Sequence, residues 1–163
     1  EDVFVPDADV LGDVDQGWGV AMATTGAERG LTLRSPGRFT ATADRLVDLY
    51  ADCGAAAHDP RLRDDVVQGW MDAEAYRLQT LQTVTGLSEG ARPGAESSLT
   101  KLFWSELDVR LHDAALRLLG GDAELEGPWT KGYQFALSGP IYAGTNEIQR
   151  NVVAERVLGL PRK

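Results

Sequence analysis

The stretch from Asp59 to Gly86, DPRLRDDVVQGWMDAEAYRLQTLQTVTG, decides the fold class. Asp59 suits a helix cap, because its carboxylate can accept from the free N–H groups of a first turn. Pro60 follows where a missing N–H costs nothing. Apolar residues then recur at Leu62, Val66, Val67, Trp70, Met71, Ala75, Leu78 and Leu81, a spacing that predicts a long helix. Gly86 and Gly90 end it. A long helix needs long partners to cover its stripe. Pro93 to Leu119 supplies one, with Leu99, Leu102, Phe103, Leu107, Leu111, Ala114, Ala115 and Leu118 at the same spacing and Gly120-Gly121 as the stop. Trp18 to about Asp52 supplies another. Val20, Met22, Leu31, Leu33, Leu46, Leu49 and Tyr50 form its apolar face, and Ser35-Pro36-Gly37 predicts a kink or break.

Downstream, DAELEGPWTKGYQFALSGP reads as a loop with room for a short helix. A last helix runs from Asn146 to about Leu158, carrying Ile148, Val152, Val153 and Val157, and Pro161 ends it. Three long helices and a shorter one, joined by short connections, predict an all-α, up-down four-helix bundle over residues 16–163. Residues 1–15 read differently. Val3-Phe4-Val5 is β-prone and Pro6, Asp7, Asp9, Gly12 and Asp13 break the pattern. A lone strand is not stable, so the chain is expected to start inside a larger protein.

The chain has 163 residues and a formal charge of −9. That balance argues against nucleic acid as a partner, since phosphate neutralisation needs clustered Lys and Arg. No apolar run is long enough to span a bilayer. Cys53, the single cysteine, cannot form an internal disulfide, which points to a reducing compartment, the cytoplasm. Its uncharged neighbours make it a packing residue rather than a nucleophile. His58 and His112 lack metal-ligand spacing, so no metal is expected.

The chemistry gathers at Ile141 to Arg150, IYAGTNEIQR, a loop that opens a helix. Thr145 suits the N-cap of that helix, and a capped helix start presents N–H groups able to hold a phosphate. Together with VFVPDADVLGDVDQGWGVAM at the beginning and LLGG at Leu118 to Gly121, this closing stretch resembles the C-terminal part of the flavin-dependent acyl-CoA dehydrogenases. The resemblance covers nearly the whole chain, and the closing motif is its most specific part. It implies a helical domain preceded by a middle β domain, FAD as cofactor, an acyl-CoA thioester as substrate, an electron-transfer flavoprotein as electron acceptor, and a homo- or hetero-oligomer, dimer or tetramer. The reaction implied is α,β-desaturation, with the bundle inactive by itself.

Family members commonly carry the catalytic glutamate directly before the Gly-Thr of the closing motif. Here that residue is Ala143, and a methyl group cannot accept a proton. Other members place the base on the first helix of this domain beside an arginine. Glu28 and Arg29 match that alternative. Burial would raise the Glu28 pKa and Arg29 would lower it. A glutamate–arginine pair early in a helix is also an ordinary surface feature, and the alternative role is a non-catalytic, structural subunit of a heteromeric complex. The resemblance places Thr145 and Glu147 at the FAD of the same subunit, and Gly120 and Gly121 against the FAD of a neighbour. Glu147 replaces a glutamine often found there, and a carboxylate repels phosphate. Arg117 likewise replaces a glutamine before the glycine turn. The family's Arg-x-x-Phe-Gly segment has no counterpart between Cys53 and Val66; Arg61 and Arg63 are the cations that could face a pyrophosphate there. Trp104, Trp129 and Tyr133 read as packing residues, the last two in a loop that could line a cavity.

Overall fold

The computed structural model describes residues 3–31, 34–54, 59–91 and 94–162, with only the backbone described over 25–31. Six α-helices form among them: α1 (Gly17–Leu31), α2 (Pro36–Asp52), α3 (Pro60–Ser88), α4 (Ser97–Leu119), α5 (Pro128–Ala136) and α6 (Asn146–Val152). A π turn, Val153–Val157, continues α6. The expected break at Ser35-Pro36-Gly37 divides α1 from α2, with Ser35 as the N-cap residue and Pro36 opening the new helix. Proline has no N–H to continue the helix before it. At Asp59 the expected cap forms: Oδ1 accepts from the Arg61 N–H at 2.9 Å. Gly120 stops α4 with φ 56°, which glycine adopts without a Cβ penalty. The start expected at Pro93 lies outside the described residues, and the regular helix is counted from Ser97.

Val3-Phe4-Val5 forms no strand. It is irregular and exposed, and among the described residues there is no strand to pair with it. Among the described residues the chain is all-helical.

The bundle is organised around α4, which packs against α2, α3, α5 and α6. The core joins Phe39, Ala43 and Leu46 of α2 to Leu62, Val66, Ala73 and Tyr76 of α3 and to Trp104, Leu107, Leu111, Ala115 and Leu118 of α4. Phe39 meets Tyr76 edge-on at 5.1 Å between ring centroids, a preferred aromatic geometry. The buried face of α3 is Leu62, Val66, Gly69, Ala73, Tyr76 and Thr80. Much of the apolar stripe read from the sequence lies elsewhere: Val67, Trp70, Met71, Leu78 and Leu81 are exposed. At about 100° per residue these five share a second face, roughly 130° around the helix from the first. Small residues, Gly69 and Ala73, stand in the middle of that face, where α3 lies close to its neighbours. A Cβ on Gly69 would stand 2.8 Å from Leu111 Cδ2.

Adjacent valines separate the two faces. Val66→Ala is expected to cost about 2 kcal/mol of unfolding free energy, from lost burial and the cavity left behind. Val67→Ala is expected to cost about 0.5 kcal/mol or less. Urea unfolding of both variants checks this.

Candidate functional site

The loop between α5 and α6 is wound tightly. The Ile141 and Tyr142 N–H groups donate to Ser138 O at 3.0 and 3.1 Å, and the Asn146 N–H donates to Pro140 O at 2.9 Å. At its tip the chain passes through Ala143, with φ 54°, and Gly144, with φ 86°. Alanine in the left-handed region is disfavoured by its Cβ, at a cost of about 1 kcal/mol or more. The buried Gln149 side chain holds it there. Its Nε2 donates to Ala143 O at 2.9 Å and to Gly144 O at 3.4 Å. A Cβ on Gly144 would stand 2.5 Å from that nitrogen, so the clamp also requires glycine. Thr145 caps α6 as expected, its hydroxyl accepting from the Ile148 N–H at 3.4 Å.

Beneath the loop, α4 presents a layer of polar side chains. Lys101, Ser105 and Asn146 are all buried. Asn146 Oδ1 accepts from Lys101 Nζ at 2.6 Å and from Ser105 Oγ at 3.1 Å, while its Nδ2 donates to Glu106 Oε1 at 3.3 Å. Glu106 also pairs with Arg150. These bonds fix the first turn of α6 onto α4. Burial pushes the Lys101 amine below its ordinary value of 10.5, with Glu147 and Glu106 pulling the other way. Further along α4, buried Asp108 pairs with Arg38 at 2.6 Å. Its other carboxylate oxygen lies 3.3 Å from His112 Nδ1, while that nitrogen's hydrogen-bond partner is Asp108 O at 2.8 Å.

On the opposite side of the loop stands Arg34, between α1 and α2. One guanidinium nitrogen donates to the Tyr142 hydroxyl at 2.7 Å. Its Cζ lies 5.4 Å from the Trp104 ring centroid and 5.2 Å from that of Tyr142, within cation–π range. Its carbonyl accepts from the Tyr76 hydroxyl at 2.8 Å. The Tyr142-Ala143 turn is thus tied to the residue that precedes the cap of α2.

The residues expected from the sequence divide between two places. Glu28 and Arg29 fall in the backbone of α1 near its C-terminal end, and their side chains lie outside the described residues. Thr145 and Glu147 sit beside Ala143, at the start of α6. Gly120 and Gly121 are exposed at the far end of α4, fifteen residues beyond Ser105 or about 22 Å along the helix. Arg61, exposed at the start of α3, shares that end, where Asp65 and Arg117 pair at 2.6 Å. Arg34, Lys101, Asn146 and Gln149 were not singled out from the sequence. Isolated charged and amide residues inside helical patterns carry no periodic signal, and only the fold shows them converging. Trp104 packs in the core as expected, although its Nε1 finds no hydrogen-bond partner among the described residues. Trp129 lies against His112 and helps line a groove of about 280 Å³ with Arg45 and Asp48.

For a cofactor with a pyrophosphate the fit is partial. Gly120 and Gly121 leave bare backbone with nothing within 4 Å of where a Cβ would stand, so another molecule could approach closely. Thr145 already serves as a cap. The Glu147 carboxyl is held below its ordinary value by its own backbone N–H first and the Thr145 hydroxyl second; it stays ionised and repels phosphate. This chain therefore offers walls for such a group rather than a closed cradle.

A family model for the acyl-CoA dehydrogenase C-terminal domain matches residues 15–158. The acyl-CoA dehydrogenase IpdE1 of Mycobacterium tuberculosis is 39% identical over 165 residues, covering 96% of this chain and 42% of that protein. A structure described as the Tcur3481-Tcur3483 steroid ACAD superposes with a TM-score of 0.79 at 23% identity, over 98% of this chain and 44% of its own. The ChsE4-ChsE5 complex from Mycobacterium tuberculosis superposes with a TM-score of 0.76 at 23% identity, over 98% and 44%. The chain spans about two fifths of the length of the curated relatives it matches.

Lys101 gives a test of the buried layer. An amine with a depressed folded pKa holds fewer protons folded than unfolded between that value and 10.5. Folded stability should therefore rise with pH across that window, relative to Lys101→Met, which has no proton to release. Urea midpoints of the two proteins should separate in the wild type's favour as pH climbs from neutrality toward 10.5. Parallel midpoints would show that Lys101 is not desolvated.

Proposed function

Because the chain belongs to the acyl-CoA dehydrogenase family and matches its C-terminal domain, we propose that it is the helical part of a longer FAD-dependent oxidoreductase that desaturates an acyl-CoA thioester between Cα and Cβ. Residues 1–15 are the junction to a preceding β domain and residues 16–163 the bundle. A bound FAD would supply the acceptor for the hydride on Cβ. The task left to this chain is the proton on Cα, which the thioester carbonyl acidifies.

Ala143 has no acidic group, so the base comes from α1: Glu28 takes the proton and Arg29 tempers its basicity. The observation that carries this reading is the bond from Arg34 to Tyr142. Glu28 lies six residues before Arg34, at most about 15 Å of backbone by helix rise and extended-chain reach. Tyr142 is the immediate neighbour of Ala143. That reach is compatible with a shared hollow beside Ala143, which on this reading the Glu28 carboxylate enters from α1.

The division of the remaining residues supports an oligomer. Thr145 and Glu147 border the turn of their own subunit, whereas Arg61, Gly120 and Gly121 lie at the other end of the bundle, where they can face the FAD of a second subunit. The exposed stripe of Val67, Trp70, Met71, Leu78 and Leu81 on α3 supplies apolar surface for such contacts. An electron-transfer flavoprotein would be the electron acceptor of the intact protein. The chain alone, without the remaining walls of the flavin and thioester pocket, is inactive.

Glu28→Gln in the intact flavoprotein removes the base and little else. Bleaching of the flavin by an acyl-CoA should slow by about 100- to 10,000-fold, the usual worth of a positioned base, with the flavin spectrum retained. Unchanged bleaching would instead favour a structural subunit whose partner carries the base.

A further inference from the structure

The geometry points to Arg34 as a positioning residue: it holds the Tyr142-Ala143 turn against the connection that leads into α2 and against Trp104 of α4, and so sets the room left beside Ala143 for the base. The catalytic consequence rests on the reading of Glu28 given above; the structural part stands on contacts alone.

The Arg34 side chain touches two elements of this corner, and its backbone is held by a third. Its guanidinium lies against Trp104 of α4 and Tyr142 of the loop, and it donates to the Tyr142 hydroxyl at 2.7 Å. Its own backbone is held by Tyr76 of α3, whose hydroxyl donates to Arg34 O at 2.8 Å. The two rings are themselves 5.9 Å apart and tilted by 32°, so the cation sits against a preformed aromatic wedge. Arg34 is half-buried, and Tyr142 and Ala143 with it.

The loop needs such a hold from this side. Gln149, Lys101 and Ser105 secure it from beneath, through the carbonyls of Ala143 and Gly144 and the side chain of Asn146. None of these bonds fixes the distance from the loop to the connection between α1 and α2. The Arg34 to Tyr142 contact does, and it acts one residue from the disfavoured φ of Ala143. A planar guanidinium can lie along a ring and donate in its own plane at the same time. An ammonium is a compact, strongly hydrated charge that cannot do both. Lysine at position 34 would therefore keep the charge and lose the placement.

The test uses two readouts. In the 163-residue chain, amide exchange is followed by residue for Arg34→Met, Arg34→Lys and the milder Tyr142→Phe, which keeps the ring and removes only the acceptor. Exchange at residues 143–146 should quicken by about tenfold or more in both Arg34 variants and by less in Tyr142→Phe, with the amides of Leu107 and Leu111 unchanged. In the intact flavoprotein, the Arg34 variants should lower kcat by about tenfold or more, while KM moves less than threefold and the flavin spectrum stays. Unaltered exchange at the loop overturns the proposal. So does a loosened loop with unaltered kcat, or full rescue by lysine. Failure of the Glu28 reading is seen separately, as an active Glu28→Gln protein.

Discussion

The corner of the molecule where chemistry is expected depends on one constraint: the chain must turn through Ala143 and Gly144 in left-handed conformations and remain there. The backbone does not favour this at an alanine. The turn persists because a buried amide, Gln149, bonds the two carbonyls that the turn exposes. Gln149 reaches them only because α6 starts immediately afterwards, capped by Thr145. That start is fixed in turn by Asn146, which is bonded to Lys101 and Ser105 of α4. A local strain is thus offset by a chain of bonds ending in the central helix of the bundle.

The polar layer on α4 has a cost. Lys101 is buried, and its amine is desolvated. Buried charges are seldom the most stabilising solution. The arrangement fits a requirement for placement more than for stability: Asn146 receives two donors and gives one bond to Glu106, so the first turn of α6 has little freedom to slide. Apolar packing alone would not specify that register. Arg38 with Asp108 makes a second polar tie between α2 and the middle of α4.

Much of this fold could be read in the sequence. Asp59-Pro60, Ser35-Pro36 and Gly120 are local signals whose physics does not depend on the rest of the molecule, and each marks the boundary expected of it. The burial of α3 could not be read the same way. Much of its hydrophobic stripe faces outward, and its core face sets Gly69, Ala73 and Thr80 beside Leu62, Val66 and Tyr76, with small residues where helices approach closely. The strand expected at Val3-Phe4-Val5 failed for a related reason: β propensity is realised only with a partner. At the site, Thr145 was recognisable as a cap and Ala143 as a missing acid. Arg34 and Lys101 were not, since their roles come from the meeting of segments 45 to 108 residues apart.

The proposed chemistry requires that Glu28 of α1 and the alanine turn lie within reach of each other. The most direct measurement of this is intramolecular cross-linking of Glu28→Cys with Ala143→Cys, in a chain whose Cys53 is changed to Ser, using a short reagent that bridges two thiols. The account predicts rapid closure within a single molecule under native conditions, lost on unfolding. Two thiols that each react singly with the reagent but are never bridged would contradict it.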